Sequence, residues 1–145
     1  NSRVLIDRVE GGRRPQYSLP IGERLPLYPG AAGKVFLACD PETDLDATAA
    51  DLAPVTLADG TVLEHSAVLA DLQDVRTRGF AISVNERQFD TTATAAPIVD
   101  SAGRILGSLG LSGATAELRD VESSALPSDV RRAAQAIGSR VPPAN

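Results

Sequence analysis

Phe80-Ala81-Ile82-Ser83-Val84, then Thr92-Ala93-Thr94-Ala95-Ala96-Pro97-Ile98-Val99, Asp100-Ser101-Ala102-Gly103 and the run Arg104 to Ser112 make up the stretch that decides the fold. Small and aliphatic residues recur here with a period of two, the spacing of a strand. Asp100 to Gly103 joins the last two runs as a hairpin, with Gly where a positive φ is needed. Immediately before this stretch the period is that of a helix. Val68, Leu72 and Val75 sit at i, i+4 and i+7 within Leu63 to Arg78, and Gly79 is the natural stop. After it, Pro127 opens a terminal amphipathic helix carrying Val130, Ala133, Ala134, Ile137 and Val141. Strands bracketed by helices predict an α+β domain, a central antiparallel sheet with helices packed on its faces.

Toward the N-terminus, Arg3 to Val9 reads as a strand and Gly11-Gly12-Arg13-Arg14-Pro15 as a turn, with Gln16-Tyr17-Ser18-Leu19 pairing back. Pro20, Gly22, Pro26 and Pro29 keep the next dozen residues irregular. A helix opens near Gly30, runs through Ala38 and stops at Asp40-Pro41. A second, acidic at its start, is expected from Pro41 to Asp51, and Asp59-Gly60 marks a turn.

The chain has 145 residues, one domain's worth, and burial of roughly two-thirds of the unfolded surface is expected at this size. It contains no Met, which predicts a piece of a longer polypeptide or a processed product. A net charge of −5 and only five aromatic residues argue against a surface that grips phosphate backbones. No apolar run approaches the length of a membrane span, and the single Cys39 excludes an internal disulfide and fits a reducing cytoplasm. One His and one Cys supply too few ligands for a transition-metal site, so no metal and no cofactor is expected.

Candidate chemistry is sparse. Cys39 has no His beside it, and His65 between Glu64 and Ser66 reads as a surface histidine, so no catalytic residue is assigned. Asp40, Glu42, Asp44 and Asp46 lack calcium-loop spacing and read as a solvated helix start, while Glu86 and Asp90 around Arg87 read as loop or interface charges. Gly30-Ala31-Ala32-Gly33-Lys34 lacks the spacing of a nucleotide loop. Small residues at a helix start do leave N–H groups able to hold a carboxylate, and they equally permit close packing on a sheet. On the last strand one face reads Ile105, Gly107, Leu109, Leu111 and the other Leu106, Ser108, Gly110, Ser112. With Thr91, Ala93 and Ala95 across the hairpin, the second face is either the floor of a polar pocket or a solvated surface.

Three co-linear segments carry a resemblance. Leu25-Pro26-Leu27-Tyr28-Pro29-Gly30-Ala31-Ala32-Gly33-Lys34, then Leu72 to Phe80, then Ala95-Ala96-Pro97-Ile98 through Leu109-Gly110-Leu111-Ser112-Gly113 resemble the C-terminal effector-binding domain of IclR-family transcription regulators. The resemblance covers nearly the whole chain. It implies a GAF-like fold over residues 1–141 with a tail at 142–145, a small organic acid as effector, and an N-terminal winged helix-turn-helix, absent from this chain, that binds operator DNA. It also implies a cytoplasmic homodimer or tetramer without a membrane partner. Carried over residue by residue, the effector-binding positions are Leu25, Ala31, Ala32, Ser83, Thr91, Ala93, Gly110 and Ser112, with Tyr17 as a further position.

The sequence departs from the family at Ser83, where some members carry Asp, at Ala93 for Cys, at Gly110 for Ser and at Asp90 for Gly. Fewer polar anchors and smaller side chains predict a roomier, less polar pocket, hence a larger acid, aromatic ones included. Two rival classes remain at this point. An enzyme on a GAF-like scaffold would need a partner for Cys39, and a GAF module of a sensor kinase would carry a different upstream domain.

Overall fold

The structure, a computed structural model, describes residues 2–11 and 19–142. In chain order its elements are β1 Ser2–Val4, β2 Arg24–Pro26, α1 Ala31–Cys39, α2 Leu45–Leu52, β3 Val55–Thr56, β4 Val62–Leu63, α3 His65–Arg78, β5 Ala81–Val84, β6 Thr91–Val99, β7 Ile105–Ala114 and α4 Leu126–Gly138. The period-two segments form one antiparallel sheet in the order β5-β6-β7, and β1-β2 and β3-β4 are separate antiparallel pairs. This is the α+β architecture expected.

Turn chemistry places the sheet. Gly103 takes φ +80 between β6 and β7. Asp100, only 5% exposed, accepts hydrogen bonds from Ala102 N and Arg104 N at 2.9 Å each and from Arg104 Nε at 2.8 Å. These bonds hold the Asp100 carboxyl below its ordinary pKa. Gly79 ends α3 in the left-handed conformation, with its N–H bonded to Val75 O.

The two faces of the sheet receive different helices. Ala81 and Ala95, opposite each other on β5 and β6, pack with Ala31, Val35 and Ala38 of α1, and this cluster extends to Val68, Leu72 and Val75 of α3. Ala96 and Leu109 on the other face pack with Val130 and Ala134 of α4.

Several boundaries differ from the sequence reading. The first strand is three residues long, not seven, and its partner is Arg24–Pro26, inside the segment expected to be irregular. Of the pairing expected for Gln16-Tyr17-Ser18-Leu19, the first three residues lie outside the described residues, and Leu19 is in no strand. α2 begins at Leu45 because Asp44 is its cap, accepting from Asp46 N and Ala47 N, whereas Asp40 turns the chain by accepting from Glu42 N. Asp59-Gly60 does turn, and the chain on either side of it pairs as β3 and β4. A register shift at Ile98/Val99, opposite Gly107 and Ile105, takes Ile105 out of the simple alternation along β7. On α4 the buried stripe is Val130, Ala134 and Gly138, while Ala133 and Ile137 face outward; Val141, expected on this helix, lies past its end and is exposed. Gly138 sets that rotation: a Cβ there would sit 2.0 Å from Val99 O, so only Gly lets the helix approach β6 so closely.

Candidate effector site

α1 starts at Gly30, whose φ of +114 suits only glycine. The first helical bonds run from Gly33 N and Lys34 N to Gly30 O, so the N–H groups of Ala31 and Ala32 precede the ladder. Gly33 permits the helix to lie against the incoming chain, since a Cβ there would fall 1.8 Å from Leu27 O.

The sheet register brings most of the sequence-predicted set onto one face. Ser83, Ala93 and Ser112 form one cross-strand row, and Ala81, Ala95 and Gly110 form the next. Thr91 is on the same face, opposite Ala114. Because Ala81 and Ala95 of this face carry α1, the row of Ser83, Ala93 and Ser112 lies on the α1 side of the sheet. Ala31 is buried, Ala32 and Ala93 are half-buried, and Ser83 is 8% exposed, while Gly110 and Ser112 are open. Leu25 is buried on β2, opposite Arg3 of β1. Tyr17 lies outside the described residues.

Beneath α1 runs a polar network that the sequence did not reveal. Lys34, 1% exposed, donates from Nζ to Glu86 Oε1 at 2.6 Å, Asp71 Oδ1 at 3.1 Å and Ile82 O at 2.8 Å. Glu86 Oε2 accepts from Gly30 N at 2.9 Å, and Tyr28 donates from its hydroxyl to Asp71 at 2.8 Å. Burial raises the Glu86 pKa against the opposing pull of Lys34, and burial with the neighbouring Asp71 charge raises that of Tyr28. Glu86, expected as a loop or interface charge, is therefore a buried partner of Lys34. The signal available was that Lys34 is the one lysine among fourteen basic residues. A compact ammonium with three donors fits a buried three-acceptor site that a planar guanidinium does not.

Two clefts flank this framework. One, of about 400 Å³, runs between α3 and the free edge of β5 and is lined by Lys34, Asp71, Glu86 and Arg78. The other, of about 360 Å³, lies between the β2–α1 connection and α2. Neither is lined by Ser83, Ala93 or Ser112. In the first, Lys34 is paired with Asp71 and Glu86, and Arg78 with Asp74 and Glu122, so its charges answer one another.

The other candidates stay peripheral. His65 Nε2 lies 3.1 Å from Asp46 Oδ1 at the surface, and Cys39 is a free thiol whose pKa is raised by burial despite Arg76 and Arg131 nearby. Among the described residues no three His, Cys, Asp or Glu side chains gather to hold a metal, and no helix is long and apolar enough to cross a membrane.

Comparison with known proteins identifies the family and the fold. The HTH-type transcriptional regulator BhcR of Paracoccus denitrificans is 31% identical over 140 residues, which is 97% of this chain and 50% of BhcR. A crystallised transcriptional regulator of Rhodococcus sp. RHA1 superposes with a TM-score of 0.81 at 29% identity, covering 94% of this chain and 55% of that one. The inducer-binding domain of PobR from Acinetobacter, solved as a double mutant with 3-hydroxybenzoic acid, shares the fold at a TM-score of 0.71 and 22% identity, over 91% of this chain and 75% of that one. The chain spans about half the length of the curated relatives it matches. Residues 1–139 match the family described as bacterial transcriptional regulator IclR, C-terminal, and the chain belongs to that family.

Proposed function

We propose that this chain is the effector-sensing part of a DNA-binding transcriptional regulator and that its effector is a small organic carboxylic acid. The observation that carries the reading is the placement of the α1 start over a sheet face of small and hydroxyl residues. Ala31 and Ala32 offer N–H groups at the positive end of a helix, and Ser83, Thr91, Ala93, Gly110 and Ser112 supply a shallow, mildly polar floor. Leu25 closes the apolar end, and Tyr17 belongs to the same proposed set. PobR, with 3-hydroxybenzoic acid bound to its inducer-binding domain, supports the ligand class and the aromatic option.

The relatives are named HTH-type regulators, and this supports a separate DNA-binding segment in the whole protein, operator recognition through it, a homodimer or tetramer, and a cytoplasmic site of action. Effector binding then acts as a population shift. It favours one arrangement of paired effector domains and so alters the spacing of the DNA-binding segments. An enzymatic role has little support, because the one thiol is held protonated by burial and has no base beside it.

Titration calorimetry of the chain with benzoate, 3-hydroxybenzoate, pyruvate and glyoxylate tests the reading. The aromatic acids are expected to bind, and Ser112→Phe, an open position on the sheet face, is expected to abolish binding without lowering the melting temperature. Binding that survives Ser112→Phe unchanged moves the site off this face.

A further inference from the structure

The cleft between α3 and the free edge of β5 carries more negative than positive charge. Asp71, Asp74, Glu86 and Glu122 line it against Lys34 and Arg78. Each cation is shared by two carboxylates, Lys34 by Asp71 and Glu86 and Arg78 by Asp74 and Glu122. On α3 the spacing makes this a wall: Ala67, Asp71, Asp74 and Arg78 fall at i, i+4, i+7 and i+11, along one stripe of the helix. Asp71 accepts one bond on each oxygen, from Lys34 at 3.1 Å and from Tyr28 at 2.8 Å. A carboxylate has room for about four, and Asp71 is partly exposed, so acceptor capacity is left over on the open side.

The opposite wall adds a backbone acceptor and apolar surface. β5 pairs only with β6, and Asn85 N–H bonds Thr91 O at 2.9 Å. Alternation from that bonded pair makes Ser83 with Ala93 the next one, so Ile82 and Val84 turn their backbone groups away from β6. Lys34 Nζ takes Ile82 O at 2.8 Å, while Val84 O has no backbone partner among the described residues. Leu57, Leu63 and Val75 line the same space, whose volume of about 400 Å³ suits a small molecule. The charge surplus is felt at Glu86: burial raises its pKa, Lys34 opposes the rise and the Asp71 charge adds to it. An arriving cation would answer that surplus.

We propose that this cleft is a second ligand site, for a small organic cation with an ammonium group on an apolar body. The ammonium donates to Asp71 and to Val84 O, and the more open Asp74 and Glu122 attract it at the rim. The apolar body lies against Leu57, Leu63 and Val75. A neutral analogue of the same shape forgoes the charge, and an anion meets four carboxylates. The site is independent of the effector reading, because none of its lining residues belongs to the proposed effector set.

Calorimetry with a matched pair, phenethylamine and 2-phenylethanol, tests this at constant ionic strength. The wild-type chain is expected to bind the amine at least about tenfold more tightly than the alcohol, the scale of a charged hydrogen bond. Ala67→Phe, at an exposed position of α3 on the cleft, is expected to fill the space and abolish binding of the amine without lowering the melting temperature. Asp71→Asn is expected to cost the amine about tenfold and leave the alcohol unchanged. Because Asp71 also partners Lys34, its melting temperature is measured, and Glu122→Gln serves as the milder variant, expected to weaken the amine about twofold with folding intact. Equal affinity of the wild type for amine and alcohol overturns the proposal, as does no binding of the amine at all. Amine binding that survives Ala67→Phe unchanged overturns it by placing the amine elsewhere. Equal loss of both molecules in Asp71→Asn overturns it by making Asp71 structural.

Discussion

The two ends of α1 are finished in opposite ways. At the C-terminal end, Arg76 from α3 donates to Ala38 O at 2.7 Å and to Asp40 O and Thr43 O at 2.8 Å each, so one cation closes three carbonyls. At the N-terminal end, Glu86 takes Gly30 N and ties the residue to Lys34, while Ala31 and Ala32 stand ahead of the helical ladder beside Arg3 and Arg87. Both ends need a counter-charge by the same helix-dipole logic. The C-terminal end is supplied from within the fold and is shut. The N-terminal end is held by Glu86 at Gly30 N, while no bond between backbone groups takes the N–H groups of Ala31 and Ala32.

The largest effect is expected from removing the support under the open end. Lys34→Met leaves the largely buried Glu86 and the partly exposed Asp71 without their cation and should cost about 3–5 kcal/mol, the range for breaking one partner of a buried ion pair. Urea unfolding measures this. Lys34→Met combined with Glu86→Gln should recover part of the loss, because the remaining charge is then the more exposed Asp71. A single-mutant loss of less than about 1 kcal/mol, the level of an exposed pair, would mean the network is solvent-screened and does not fix the α1 start.

Much of this contrast was legible in the sequence, and what was not has a physical reason. α1, α3 and the three long strands announce themselves through period and stop signals, because each buries a regular face. Ala93 and Ser112 fell on one face by alternation once the hairpin at Asp100 to Gly103 was placed, whereas Ser83 came from the family resemblance and joins their row through the β5–β6 register. The β1–β2 pair was hidden because its strands are three residues long, too short for any period, and one of them ends in Pro26. Glu86 looked like a loop charge because its partner Lys34 is 52 residues away, a contact only the fold creates. Arg3 and Arg87 were equally silent. They come together beside Gly30 only in the fold, not through any local pattern.

A smaller effect is expected at the shut end. Arg76→Ala frees the carbonyls of Ala38, Asp40 and Thr43 to water and should cost about 1–3 kcal/mol, the range for hydrogen bonds to a charged group at a partly exposed site. Effector affinity should not change. That separates the two ends, since a substitution one helix-length from Gly30 then alters stability alone. A parallel loss of affinity for benzoate in calorimetry would show that the ends are coupled and that Arg76 also positions the ligand site.

The smallest effect concerns Cys39, the last residue of α1. Its thiol is half-buried, and burial raises its pKa above the ordinary 9.0 more than the nearby Arg76 and Arg131 charges lower it. A raised thiol pKa means less thiolate at neutral pH, and thiolate is the reactive form. Alkylation by iodoacetamide should therefore be slow at pH 7, slower than for a free cysteine peptide, and should accelerate only as pH climbs past 9.0. The sign for stability follows as well: the folded state prefers the protonated thiol, so this group's contribution is lost as pH rises above the ordinary thiol value. Arg76→Ala removes one of the two lowering charges and should slow alkylation further if the helix end stays packed. Faster alkylation in that variant would mean instead that the arginine is the clasp that keeps the end of α1 shut, and that exposure outweighs charge there.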